Sequence, residues 1–144
     1  MSLVAYTDGS GTRAHLPCGA GVVLYDGDEV VLEASRHLGL GTNNHAELSA
    51  IRLALWATTF EPFAARALLI RSDSEYAIRM STGRLPLDPE RPNARLIHII
   101  RRLMARRSVS FQHVNGHSGI AGNERADFLA NLGRLQSWKT AEAA

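Results

Sequence analysis

One cysteine, one lysine and two tryptophans in 144 residues, and no apolar run long enough to cross a bilayer, define what this sequence does without. With Cys18 alone, an intramolecular disulfide and a multi-cysteine zinc site are both excluded, and a reducing compartment is the expected home. The longest apolar stretches fall well short of the roughly 18 residues that a spanning helix needs, so no membrane association is expected. Leu3-Val4-Ala5-Tyr6 meets the polar Thr7-Asp8-Gly9-Ser10 at once, leaving no room for a secretory signal region, and the expected location is the cytoplasm. Lysine is nearly absent because fifteen of the sixteen cations are Arg, a bias that suits planar, bidentate phosphate recognition. A formal charge of only +2 admits a polyanionic partner without demanding one.

What is present, 45% hydrophobic and 21% charged residues, fits one ordinary domain, expected over 1–137 with a tail at 138–144. Residues 3–8, 19–25 and 30–35 favour strands, and Asp26-Gly27 between the last two is a hairpin signal. Thr42 or Asn43 can cap a helix reaching about Phe60, with Leu48, Ile51 and Leu55 on its apolar face and Trp56 assigned to the core. Residues 67–70 suit a central strand, after which Asp73 is placed to cap a short helix through Met80. Pro86, Pro89 and Pro92 then predict an irregular connection. A helix from Asn93, rich in Arg, a strand at 108–114 and a glycine-bearing loop follow, and Asn123 is placed to cap a last helix fading near Ser137.

Three early strands followed by helices alternating with two more predict an α/β fold with a five-stranded mixed sheet. The first three strands should be antiparallel and the last two parallel to strand one. Asp8 and Asp73 would then leave neighbouring strand ends together. Glu47 near a helix start and Asp127 in the last helix complete a set of four acids beside apolar segments. Clustered carboxylates repel, so such a set persists when cations neutralise it, and Mg²⁺ is the cation that suits oxygen ligands. Singly, each acid reads as well as a turn residue, a helix cap, a favourable charge at a helix start or an Arg partner.

Four segments together resemble the type 1 ribonuclease H family. They are Tyr6-Thr7-Asp8-Gly9-Ser10, Thr42-Asn43-Asn44-His45-Ala46-Glu47, Ser72-Asp73-Ser74-Glu75-Tyr76, and Val114-Asn115-Gly116-His117 with Gly122-Asn123-Glu124-Arg125-Ala126-Asp127. The resemblance implies a ribonuclease H-like fold and cleavage of the RNA strand of an RNA/DNA hybrid, leaving 5′-phosphate and 3′-hydroxyl ends. It implies two Mg²⁺ ions, replaceable by Mn²⁺, on Asp8, Glu47, Asp73 and Asp127, with Asp8 bridging. His117 would assist proton transfer or product departure. Ser10, Gly11, Asn43, Asn44 and Glu75 would test 2′-hydroxyls, Thr42 and Asn93 would hold a DNA phosphate, and Asn123 would sit near the reacting water or the His117 loop.

One departure stands out. Many cellular members insert a basic, Trp-rich helix and loop before the Asn93 position, where this chain has a short, proline-broken stretch with Arg84 and Arg91. A monomer of modest hybrid affinity is expected. The other reading is a non-catalytic RNA/DNA hybrid-binding module of a larger replication or reverse-transcription complex.

Overall fold

The computed structural model describes residues 1–136. Its sheet contains β1 (Leu3–Ser10), β2 (Pro17–Asp26), β3 (Glu29–Leu40), β4 (Leu68–Ser72) and β5 (Val109–His113), in the order β3-β2-β1-β4-β5. β1 and β3 run antiparallel to β2, whereas β4 runs parallel to β1 and β5 parallel to β4. This is the expected five-stranded mixed sheet, with early strands longer than the apolar runs suggested because edge and hairpin residues continue the ladder. Gly27-Asp28 forms the two-residue turn between β2 and β3, with Gly27 at φ 62, a conformation that glycine adopts without the Cβ clash of other residues.

Among the described residues four helices cover the sheet: α1 (Asn43–Ala57), α2 (Glu75–Thr82), α3 (Ala94–Met104) and α4 (Ala121–Leu135). Leu48, Ile51 and Leu55 of α1, recurring at helical spacing, enter the larger core with Ala5, Val22, Leu24 and Ile70 of the sheet and Ile97 and Ile100 of α3. On the opposite face Ala126 and Leu129 of α4 meet Tyr6 and Val23. α4 comes close to the sheet because β2 presents Gly21 there; a Cβ at that position would overlap the α4 backbone.

Several local expectations are corrected. α1 ends at Ala57, three residues before Phe60, and Trp56 is 50% exposed, because it lies on the flank of the helix beside the buried Leu55 stripe. Ser74, not Asp73, caps α2, its Oγ accepting from the Ala77 N–H at 3.1 Å. α4 begins two residues ahead of Asn123, with Ile120 as its N-cap and no side-chain cap. Asn123 is therefore inside the first turn and buried. Thr42 caps α1 as expected, accepting from the His45 N–H at 3.2 Å. Trp138 and the proposed tail at 138–144 lie outside the described residues.

Candidate active site

Parallel pairing of β1 with β4 ends at Thr7 opposite Ser72, so the next residues along, Asp8 and Asp73, lie side by side where that pairing stops. α1 delivers the third acid. A glycine after Asp8 lets α1 approach so closely that a Cβ at Gly9 would overlap the Ala46 and Glu47 backbone. The Gly9 N–H donates to Asp8 Oδ1 at 3.0 Å and to Glu47 Oε1 at 2.5 Å, tying the two carboxylates to one backbone donor. Asp8, Glu47 and Asp73 each place a carboxylate oxygen within 4.8 Å of the others.

Asp8 and Glu47 are 5% and 3% exposed. Burial is the largest cause holding both carboxyls above the ordinary carboxylate range. At Asp8 the Glu47 carboxyl, the Asp73 charge and contact with Asp127 add to it. At Glu47 the hydrogen bonds from Asp8 and the Gly9 N–H oppose burial, while Asp73 reinforces it. Glu47 Oε2 is buried without any hydrogen-bond partner. A buried carboxylate oxygen left unpaired costs roughly 1–3 kcal/mol or more, and a hard divalent cation between the three acids would remove that cost. The residues present therefore fit the cation that the four acids suggested.

Asp127 stands outside this triad of oxygens, on the α4 side, where Asn131 Nδ2 approaches its Oδ2 at 3.4 Å. It lines a small cavity of about 20 Å³ with Asp73, His117, Asn123 and Glu124. Asn123 Oδ1 is buried and unpartnered there. His117 has φ 58, left-handed backbone that is uncommon for a residue with a Cβ, in a loop where Gly116 lies against the Asp73 carboxylate. His113 Nε2 lies 3.2 Å from the Asp73 carbonyl oxygen.

The other sequence candidates fall around this centre. Asn43 and Asn44 are exposed at the start of α1, and Glu75 is exposed at the start of α2, 3.6 Å from Arg79. Thr42, Asn44 and Asn93 line a cavity of about 610 Å³ with Arg91 and Tyr76. Asn93 precedes α3 without a side-chain capping bond. Gly11 lies against Thr42, whose residue bridges to Thr12. The Ser10 hydroxyl is engaged by α4: its Oγ donates to Asn131 Oδ1 at 2.6 Å and accepts from Arg134 Nε at 2.8 Å. Asn131 and Arg134 went unnoticed in the sequence. The one available signal was Asn131 standing four residues after Asp127, on the same helix face.

A mixed sheet that gathers buried carboxylates at the ends of two parallel strands, with a helix start and a histidine loop beside them, defines a nuclease-like hydrolase frame. The RNase H family model matches residues 1–134. A Ribonuclease H of Schizosaccharomyces pombe is 37% identical over 143 residues, covering 90% of this chain and 52% of the relative, so the chain spans about half of that protein's length. A Ribonuclease H of Cyanothece is 36% identical over 136 residues, covering 87% of this chain and 84% of the relative. The crystal structure of LC11-RNase H1 in complex with RNA/DNA hybrid superposes with a TM-score of 0.79 at 27% identity, covering 92% of this chain and 96% of that one. The chain belongs to the RNase H family and is an enzyme of that class.

Proposed function

We propose that this chain is a metal-dependent endoribonuclease that hydrolyses the RNA strand of RNA/DNA hybrids, leaving 5′-phosphate and 3′-hydroxyl ends. The observation that carries the reading is the meeting of buried Asp8 and Glu47 with half-buried Asp73 in one cluster that has an orphaned carboxylate oxygen at Glu47. Asp127 and His117 border it on the α4 side. Asp8, Glu47, Asp73 and Asp127 would hold two Mg²⁺ ions, or Mn²⁺ in their place, which would supply Lewis-acid activation of water and charge neutralisation at the departing 3′ oxygen.

The chain's own residues do the rest. Asp8 and Glu47 are fixed by the Gly9 N–H, so the cluster is set before substrate arrives. His117, on an exposed loop between glycines, is placed to carry a proton to or from the phosphate. Asn123, buried with its Oδ1 free, is placed to accept a hydrogen bond from the reacting water or from the His117 loop. Asn43, Asn44, Gly11 and Glu75 offer backbone and side-chain groups to 2′-hydroxyls across a wide minor groove, the feature that separates RNA from DNA. Ser10 contributes through its backbone, its hydroxyl being held by α4. Thr42 and Asn93, on one cavity wall with Arg91, suit a phosphate of the DNA strand. A single chain carries the whole set, so a monomer would suffice for the reaction.

Replacing Asp73 with Asn tests the assignment. The variant should stay folded and lose at least about 10³-fold in turnover, as expected where a transition-state stabilising group is removed. Full retained activity would refute the site. Tight hybrid binding by the unaltered chain without turnover would instead favour the binding-module reading.

A further inference from the structure

On the flank of α1 that faces β2 and β3 lies a second cavity, of about 190 Å³. Ala20, Leu38, Leu53 and Trp56 give it apolar lining, and Arg36, Arg52 and Ser49 make up the polar part. Arg36 and Leu38 are alternate residues of β3 and so share a sheet face, while Arg52 and Trp56 are one turn apart on α1. Both arginines are exposed, and among the described residues neither has an ion-pair partner. No carboxylate lines the cavity. Trp56, 50% exposed, meets Phe60, 54% exposed, edge to face with ring centroids 5.3 Å apart. In a chain only 6% aromatic, two large rings left side by side at the surface next to two unpaired guanidinium groups form a patch, not scattered apolar exposure.

We propose that this cavity docks an acidic peptide segment of a partner protein, which inserts one bulky apolar side chain between Leu38, Leu53 and Trp56 and pairs its flanking carboxylates with Arg36 and Arg52. Two cations and no anion around an apolar hole select a negatively charged partner, and guanidinium groups bind carboxylates in a two-pronged geometry. A Trp beside Arg is the composition that carries binding energy at protein interfaces. Single-stranded nucleic acid is the poorer fit: it needs successive stacking platforms along a basic groove, whereas this flank offers one concave apolar hole. The proposal stands on the α1 flank alone and does not depend on the reaction assigned to the acids.

The test is fluorescence anisotropy of the full chain with a fluorescein-labelled, end-blocked peptide, Gly-Asp-Glu-Phe-Asp-Glu-Gly. Two control peptides replace Phe by Ser, or all acids by their amides. Saturable binding is expected, weakened at least tenfold by Arg52→Glu, by Trp56→Ala and by either control peptide, while hybrid cleavage by both variants stays at the level of the unaltered chain. Arg52 is an exposed helical residue, so Arg52→Glu is the variant that tests the cavity with least risk to folding. Three results would overturn the proposal. One is no saturable binding, or binding indifferent to both variants. The second is Arg52-dependent binding of a thymidylate ten-mer more tightly than the peptide, which marks a nucleic-acid surface. The third is self-association abolished by Trp56→Ala, which marks an interface between copies.

Discussion

Burying Asp8 against Glu47 makes the pair hold protons that either acid alone in water would shed. Both carboxyls are pushed above their ordinary values, with burial as the leading cause. A carboxyl whose folded pKa is raised contributes stability that is complete below its unfolded value, about 4, and that disappears as pH climbs through the folded value. The cation-free protein should therefore lose stability from these two groups as pH rises above about 4. Asp8→Asn keeps the shape and removes the buried carboxyl that must hold a proton at a pH where the unfolded chain would shed it. Its Tm at pH 8 without divalent cation should rise by roughly 3–8 °C, the size of a stability gain of about 1–2 kcal/mol, while cleavage is lost. A lower Tm would mean that Asp8 is not the strained partner. Mg²⁺ binding should release protons, read by calorimetry in buffers of different ionisation enthalpy, and should tighten as pH rises.

His117→Ala should lower kcat by about 10²-fold with little effect on Tm. An unchanged kcat would remove His117 from proton transfer. The motifs around Asp8, Glu47 and Asp73 were legible in sequence because each acid follows a strand end or helix start that apolar spacing reveals. Asn131 was not, since its use depends on how closely α4 settles against β1, and nothing local records that distance.

At the scale of elements, two contacts decide whether the site is assembled or the fold merely held. The Gly9 approach belongs to the site. Gly9→Ala would force α1 away from β1 and part Glu47 from Asp8, so cleavage should drop far more than stability, measured by activity on protein still cooperatively folded. Arg107 belongs to the fold. Its guanidinium donates to the carbonyls of Thr58 at 2.7 Å and Phe63 at 2.8 Å and also to Arg66, pinning the α1–β4 connection to the end of α3. Arg107→Leu should cost about 2–4 kcal/mol by leaving those carbonyls short of a donor, seen as a lower denaturation midpoint, with near-normal turnover where the protein is folded.

In the Arg-rich stretch at the end of α3, Arg101 donates to the Met80 carbonyl and Arg107 serves three others. Helix existence was legible from periodicity. Helix starts were less so: Ser, Asp and Asn near a start are all chemically able to cap, and only the backbone conformation chooses Ser74 over Asp73 and Ile120 over Asn123. Trp56 was misplaced by residue type alone, although its position next to Leu55 already set it off the Leu48, Ile51 and Leu55 stripe.

Across the whole molecule, helices α1, α2 and α3 occupy one face of the sheet, α4 the other, and the acids open at the end where β1 and β4 finish. Four ordered segments that resemble one family make that arrangement readable in the sequence. Sequence could not show the cavity between α1 and β3, because its walls come from residues far apart in the chain that periodicity treats separately. With the region between α2 and α3 short and carrying Arg84 and Arg91, few phosphates should be neutralised on binding. Hybrid affinity should then fall only gently with salt, at about 0.9 log unit per phosphate contact for each log unit of salt.

The most direct test of the central claim is cleavage of an end-labelled RNA/DNA hybrid, set beside RNA duplex, DNA duplex and single strands, with Mg²⁺, Mn²⁺ or EDTA. The account predicts internal cuts confined to the RNA strand of the hybrid, ends that are 5′-phosphate and 3′-hydroxyl, and complete loss with EDTA. Folded protein that leaves the hybrid intact with either metal, or that cuts all four substrates alike, would contradict it.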